Sequence, residues 1–206
     1  MACEWIAVDW GTSNLRAWAM VGDAPVATAT SEDGLNKLSA ELFEPALFSL
    51  IGAWLSDRRT DVIACGMVGA RQGWVEAPYR AAPCAPTSAD LHAAPTSDPR
   101  IRVLIAPGLK QTRPADVMRG EETQIAGFLS TEPEFDGVLC LPGTHTKWVH
   151  ISAGEVVSFR TFMTGEMFAL LSDQSVLRHS VGGDSGEPLN QEAFAEALGD
   201  AMAKPE

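Results

Sequence analysis

The stretch VDWGTSNLRAW, residues 8–18, reads as a strand, a tight turn and a second strand. An ordinary hairpin turn asks only for a glycine or an asparagine. This one carries Asp9, Gly11, Thr12, Ser13 and Asn14, with Arg16 directly behind them. Gly11 permits close backbone approach and positive φ. Thr12, Ser13 and Asn14 offer hydroxyl, amide and backbone donors to phosphate oxygens, and Asp9 at the strand end suits a hydrated magnesium ion. The competing reading is a decorated hairpin that binds nothing. No GxxxxGK[ST] pattern occurs in the chain, so the turn is not a Walker loop.

Working outward, residues 5–8, 15–20 and 25–30 read as a β-meander, with Gly22-Asp23 turning the last two strands. A helical pattern follows over residues 39–55, opened by a serine cap and early acids. A short buried strand over 61–65 ends in the loop GMVGARQGW, residues 66–74. Residues 77–100, rich in Pro, Ala, Ser and Thr, read as an irregular excursion. A strand over 101–106 stops at Pro107-Gly108, and 121–129 reads as a helix. Strands over 138–141, 147–151 and 155–162 repeat the hairpin theme, which suggests two related lobes. Residues 164–171 read as a helix with Thr164 as a possible cap. Gly182, Gly183 and Gly186 mark a loop, and an amphipathic helix runs from about 190 to 202.

The bulk numbers set limits. The chain has 206 residues, 46% hydrophobic and 20% charged, with a net charge of -12. That composition is globular, and its acidity argues against broad nucleic-acid or anionic-membrane binding. Cys3, Cys65, Cys84 and Cys140 form no CxxC pair and read as reduced thiols. There is no basic leader and no run approaching the ~18 apolar residues of a membrane span. The expected location is cytoplasmic. The Cys and His residues show no zinc spacing, and no GxSxG elbow supports nucleophilic hydrolysis.

Three further loops carry chemistry. LPGTHTKW, residues 141–148, repeats the logic of the first turn: Gly143 turns, Thr144 and Thr146 donate, and Lys147 adds charge. Two such hairpins can grip one nucleotide's phosphates from both sides. Between them lies RGEETQ, residues 119–124. Phosphoryl transfer to a hydroxyl needs a carboxylate that takes the proton, and Glu121 and Glu122 sit at a helix start. Acids there also serve as plain capping. In GMVGARQGW, Arg71 can bind a carboxylate bidentately, while Gln72 offers an amide and Trp74 a stacking face. The competing reading is a surface turn over a buried Trp.

Taken in order, VDWGTSNLRAW, GMVGARQGW, PGL, VMRGEETQ, LPGTHTKWV and FRTFMTGE resemble the 2-dehydro-3-deoxygalactonokinase family. These are sugar-acid kinases of the actin, hexokinase and Hsp70 superfamily. The resemblance runs from residue 5 to at least 166. It implies an α/β, ribonuclease H-like fold of the actin/hexokinase ATPase type, with ATP and Mg²⁺ in a cleft between two lobes. It implies γ-phosphate transfer to the 6-hydroxyl of the small-molecule sugar acid 2-dehydro-3-deoxy-D-galactonate, in galactonate catabolism. Asp9, Gly11, Thr12, Ser13 and Asn14 fall on the first phosphate motif, with Asp9 on the magnesium side. Gly143, Thr144 and Thr146 fall on the second. Glu121 takes the base position with Glu122 in reserve, and Arg71, Gln72 and Arg119 are candidates for the substrate's carboxylate and hydroxyls.

The superfamily's late adenosine motif has no counterpart before the final KPE, and Gly182-Gly183 comes too early for it. The expectation is a whole first lobe with its β-meander over 1–118 and a partial second lobe over 119–206. Kinase activity is then impaired unless a partner chain, such as a second copy in a homo-oligomer, completes the site. The alternative is a non-catalytic nucleotide or sugar-acid binding module of the same fold. A chaperone- or actin-like ATPase is disfavoured by RGEETQ, which supplies an acid on the acceptor side.

Overall fold

The opening meander forms because its apolar residues alternate with period two. The computed structural model describes residues 3–180 and 190–204. Strand β1 (Trp5–Trp10) buries Ile6, Val8 and Trp10 on one face and turns Trp5, Ala7 and Asp9 to the other. It pairs antiparallel with β2 (Leu15–Val21), where Asp9 faces Arg16 and Trp10 faces Leu15. Strand β3 (Ala24–Ser31) completes the meander. Strand β4 (Thr60–Gly66) then lies parallel to β1, and β7 (Ile101–Ile105) parallel to β4. With β6 (His92–Ala93) at the edge, the sheet order is β3-β2-β1-β4-β7-β6.

The helix between β3 and β4 is shorter than its pattern predicts. Helix α1 spans Phe43–Ile51, with short 3-10 turns at Ala40–Leu42 and Gly52–Trp54. Pro45 explains the late start: without an N–H it is tolerated only in a first turn, so the helix begins just before it. Ser39 does not cap it; its hydroxyl donates to Glu41 instead. Phe43, Leu47 and Ile51 recur every four residues and are fully buried. Trp74 belongs to the same core: its ring stacks on Phe43 and meets Trp10 edge-on, both at 6.2 Å between centroids. The stacking face expected of Trp74 is therefore used inside the fold.

The chain does not stop at Pro107-Gly108. It resumes at once as β8 (Gly108–Thr112) and β9 (Ala115–Met118), which pair antiparallel. The "irregular" excursion supplies β5 (Tyr79–Ala81), parallel to β8, and Cys84 bridges to Val156. Helix α2 (Glu121–Thr131) follows, then the antiparallel sheet β10 (Gly137–Leu141), β11 (Thr146–Ser152) and β12 (Glu155–Phe162). Leu109, Met118, Ile125, Val149, Ile151, Val156 and Phe159 form a second core that shares no residue with the first. Gln111 is buried within it: its amide donates to the Pro114 and Phe159 carbonyls and accepts from the Phe159 N–H.

Contacts divide the chain after Phe162. The boundary expected at 118/119 falls inside the first unit, between β9 and α2. The second unit comprises α3 (Thr164–Gln174), a 3-10 turn at Val176–His179 and α4 (Gln191–Ala203). Thr164 is the first residue of α3, not its cap, whereas the Asn190 side chain caps α4 by accepting from the Ala193 N–H. Gly182, Gly183 and Gly186 lie outside the described residues. No helix among the described residues is long and apolar enough to cross a membrane.

Candidate functional site

The β1–β2 turn is held by the chain's own backbone. The Gly11 N–H donates to the Asn14 carbonyl at 2.9 Å, while the Gly11 and Thr12 carbonyls accept from Leu35 and Asn36. Gly34 makes this possible, because a Cβ there would stand 2.3 Å from the Ser13 carbonyl carbon. Thr12, Ser13 and Asn14 are exposed, and no side-chain hydrogen bond ties them to other described residues. Gly11 itself does not adopt positive φ, and a Cβ on it would meet only the Asn14 oxygen at 3.6 Å. Gly143, in the β10–β11 turn, is alike: no positive φ, and the His145 oxygen at 3.6 Å. The chain's own packing requires neither glycine.

The second turn differs from its sequence reading in two respects. Gly143 and Thr144 are exposed, but Thr146 is buried at the start of β11. Lys147 is only 5% exposed, and its ammonium donates to the Val117 carbonyl and the Thr161 hydroxyl, both at 2.6 Å. Thr161 in turn donates to Asp116 at 2.7 Å. The Lys147 charge is thus spent joining β9, β11 and β12 instead of adding to the turn.

Helix α2 brings RGEETQ to the end of β1. Gly66 and Gly120 make the junction, with φ of +92° and +108°. A Cβ on Gly66 would stand 2.7 Å from the Trp10 oxygen, and one on Gly120 would stand 3.3 Å from the Gly66 Cα. Two backbones therefore touch one residue after β4's Cys65, Asp9's register partner, and one residue before Glu121. Glu121 is half-buried and accepts from the Arg119 N–H at 2.9 Å. Glu122 is fully buried and accepts from the Gly120 N–H with both oxygens, at 2.9 and 2.7 Å. Burial pushes the Glu122 carboxyl up to about 7, against the opposing pull of its backbone hydrogen bonds. The Cys65 thiol is pushed up to about 12, first by burial and then by the charges of Asp9 and Glu122.

Asp9 opens onto a cavity of about 540 Å³ on the sheet face opposite the first core. Trp5, Ala7, Trp18, Ile63 and Cys65 floor it; Thr87, Ser88, Leu91 and Pro107 wall it; Gly120, Thr123 and Gln124 close one end. Neither Glu121 and Glu122 nor Arg71 and Gln72 line it. Arg71 is exposed beside Glu76 at 3.9 Å, and Gln72 is exposed next to it. Arg119 is buried, with a guanidinium that donates to the Ala77 carbonyl at 2.8 Å. Thr123 and Gln124 escaped the sequence reading although RGEETQ contains them, because helix phase decides which of its residues face the cavity. Thr87 and Ser88 gave no signal inside a segment read as irregular.

A magnesium ion with its nucleotide fits these residues only on the phosphate side. Among the described residues no three His, Cys, Asp or Glu side chains gather as a metal cage. Magnesium asks for one or two carboxylates and takes the rest of its shell from phosphates and water. Asp9 meets that need: its carboxylate is 39% exposed, and its Arg16 partner at 3.1 Å is 51% exposed, a pair that costs little to open.

The family model for 2-keto-3-deoxy-galactonokinase matches residues 9–206. The chain belongs to the 2-keto-3-deoxy-galactonokinase family. It is 38% identical over 204 residues to the "Probable 2-dehydro-3-deoxygalactonokinase" of Rhizobium meliloti (strain 1021), covering 97% of this chain and 66% of that one. It is 35% identical over 201 residues to the 2-dehydro-3-deoxygalactonokinase of Escherichia coli (strain K12), covering 97% and 65%. A crystal structure of a 2-dehydro-3-deoxygalactonokinase-type protein from Sinorhizobium meliloti superposes with a TM-score of 0.86 at 37% identity, over 98% of this chain and 67% of that one. The chain therefore spans about two thirds of the length of its family relatives, in a mixed α/β fold with several sheets.

Proposed function

We propose that this chain carries the phosphate and acceptor sides of an ATP- and magnesium-dependent sugar-acid kinase acting in the cytoplasm. The acceptor in this reading is the 6-hydroxyl of 2-dehydro-3-deoxy-D-galactonate; the name 2-dehydro-3-deoxygalactonokinase carried by its relatives supports the sugar-acid class. One observation carries the reading: the Gly66–Gly120 junction seats the start of α2 beside Asp9, at one end of a sugar-sized cavity. The sheet order, with three antiparallel strands followed by two parallel ones, supports a ribonuclease H-like lobe of the actin/hexokinase type. Two separate cores support a division into two lobes, for which we keep 1–118 and 119–206, although the second core also takes Leu109 and Met118 from before that boundary.

In this reading Asp9 holds the magnesium side, and ATP supplies the phosphoryl group. The turns at Gly11–Asn14 and at Gly143 and Thr144 receive phosphate oxygens through N–H and hydroxyl donors, while Thr146, buried at the start of β11, supports the second turn from behind. Glu121 accepts the proton of the acceptor hydroxyl; it is half-buried and reachable, whereas Glu122 is sealed and holds the helix start. Arg71 and Gln72, both exposed and outside the lining of the Asp9 cavity, take the part of the sugar acid that extends beyond it, its carboxylate and hydroxyls. The test is sugar-acid-dependent ADP formation in wild type and Glu121→Gln. The variant loses about 10²- to 10⁴-fold in turnover while still binding both ligands. Undiminished turnover removes Glu121 from the role of base. Binding of the sugar acid with no turnover in any condition favours the non-catalytic binding module.

A further inference from the structure

The guanidinium of Arg119 sits where four segments meet. Its Nη2 donates to the Ala77 carbonyl at 2.8 Å, and its Nε donates to the Tyr79 hydroxyl at 3.4 Å. Its Cζ lies 4.2 Å from the Tyr79 ring centroid, a cation–π contact. Nη1 is buried with no hydrogen-bond partner among the described residues. It faces Gly69, where a Cβ would come within 2.8 Å of it. The Arg119 backbone N–H donates to Glu121. A single residue thus holds the Ala77 end of loop 66–77 with its side chain, lies against Gly69 within that loop, and holds the first acid of α2 with its backbone.

Such a buried charge is a costly way to close a loop. A methionine or leucine would fill the space without desolvating a guanidinium or leaving a donor unpaired. What the guanidinium adds is direction: a planar fork bonds the Ala77 carbonyl and faces the Tyr79 ring in one orientation only. Gly69 leaves room for that fork and no more. The loop so held carries Arg71 and Gln72, two and three residues past Gly69.

We propose that Arg119 is a positioning residue, whose buried guanidinium sets loop 66–77, and with it Arg71 and Gln72, against the acid pair of α2. This rests on the sugar-acid reading for the ligand, but the positioning itself is tested without it. Arg119→Lys keeps the charge and loses the fork. Gly69→Ala keeps the Arg119 side chain and places a Cβ 2.8 Å from both Nη1 and Ile105 Cγ2, so Gly69→Ala alone does not decide and Arg119→Lys carries the test. Hydrogen–deuterium exchange read by mass spectrometry follows the amides of Ala70, Gly73, Trp74 and Ala77, each of which donates within this loop. In both variants these amides exchange at least about tenfold faster, while β1–β3 and β11–β12 keep wild-type rates. Affinity for 2-dehydro-3-deoxy-D-galactonate, titrated well below the melting temperature, falls about tenfold to a hundredfold in both.

Uniformly faster exchange across the chain makes Arg119 a stability residue and overturns the proposal. Loop exchange at wild-type rates in Arg119→Lys, with affinity lost, makes it a direct ligand contact and overturns the proposal too. A wild type that does not bind the sugar acid sinks the sugar-acid reading; the exchange comparison still decides whether Arg119 holds the loop.

Discussion

At the scale of single residues, Glu122 sets a pH dependence. Its folded carboxyl titrates near 7 and its unfolded one near 4.5. Between those values the folded chain holds a proton that the unfolded chain has released, so stability falls as pH rises through the window. The full loss is on the order of 3 kcal/mol, at about 1.4 kcal/mol per unit. Glu122→Gln is neutral throughout and keeps an oxygen for the Gly120 N–H. Urea unfolding is expected to show the variant level with wild type below the window and more stable by on the order of 3 kcal/mol at about pH 8. A difference that stays flat with pH shows Glu122 titrating like an exposed acid.

At the scale of elements, the two hairpins separate binding from folding. Gly11 and Gly143 have ordinary φ, and a Cβ on either stands 3.6 Å from its nearest neighbour, an ordinary contact. Gly11→Ala and Gly143→Ala therefore keep stability within about 0.5 kcal/mol of wild type. If phosphates approach those turns, nucleotide affinity drops by about tenfold or more in each variant, read by calorimetric titration. Unchanged affinity in both removes the turns from the nucleotide site. The second hairpin is stiffened from below by the Lys147–Thr161–Asp116 chain, in which each donor finds an acceptor. That chain ties it to β9, which runs directly into Arg119 and the acids of α2.

For the molecule as a whole, the two cores share no side chain although residues 3–162 lie in one compact unit. Ile51→Val removes one methylene from the first core and Ile125→Val one from the second. Each is expected to cost about 0.5–1.5 kcal/mol. The double variant should equal the sum of the two to within about 0.5 kcal/mol, as distant independent sites do. A larger departure in denaturant unfolding shows the two cores to be one cooperative packing.

The sequence alone determined the meander, β4, β7, α2 and the β10–β12 hairpins, because each repeats apolar residues at its own period between turn residues. It also determined the family, since the polar motifs are local and ordered along the chain. Other elements were hidden wherever a polar side chain is consumed inside the fold. Gln111 bonds the β12 backbone from the β8–β9 hairpin, a pairing no local pattern marks, and that hairpin was not expected. Lys147 reads as a charge for phosphate, yet it is buried across three strands. Trp74 reads as a platform, yet it packs against Phe43. Only the tertiary structure decided which of two adjacent glutamates is sealed and which is reachable. Both stand at one helix start, and their difference arises from burial against segments far away in the chain, which no local pattern records.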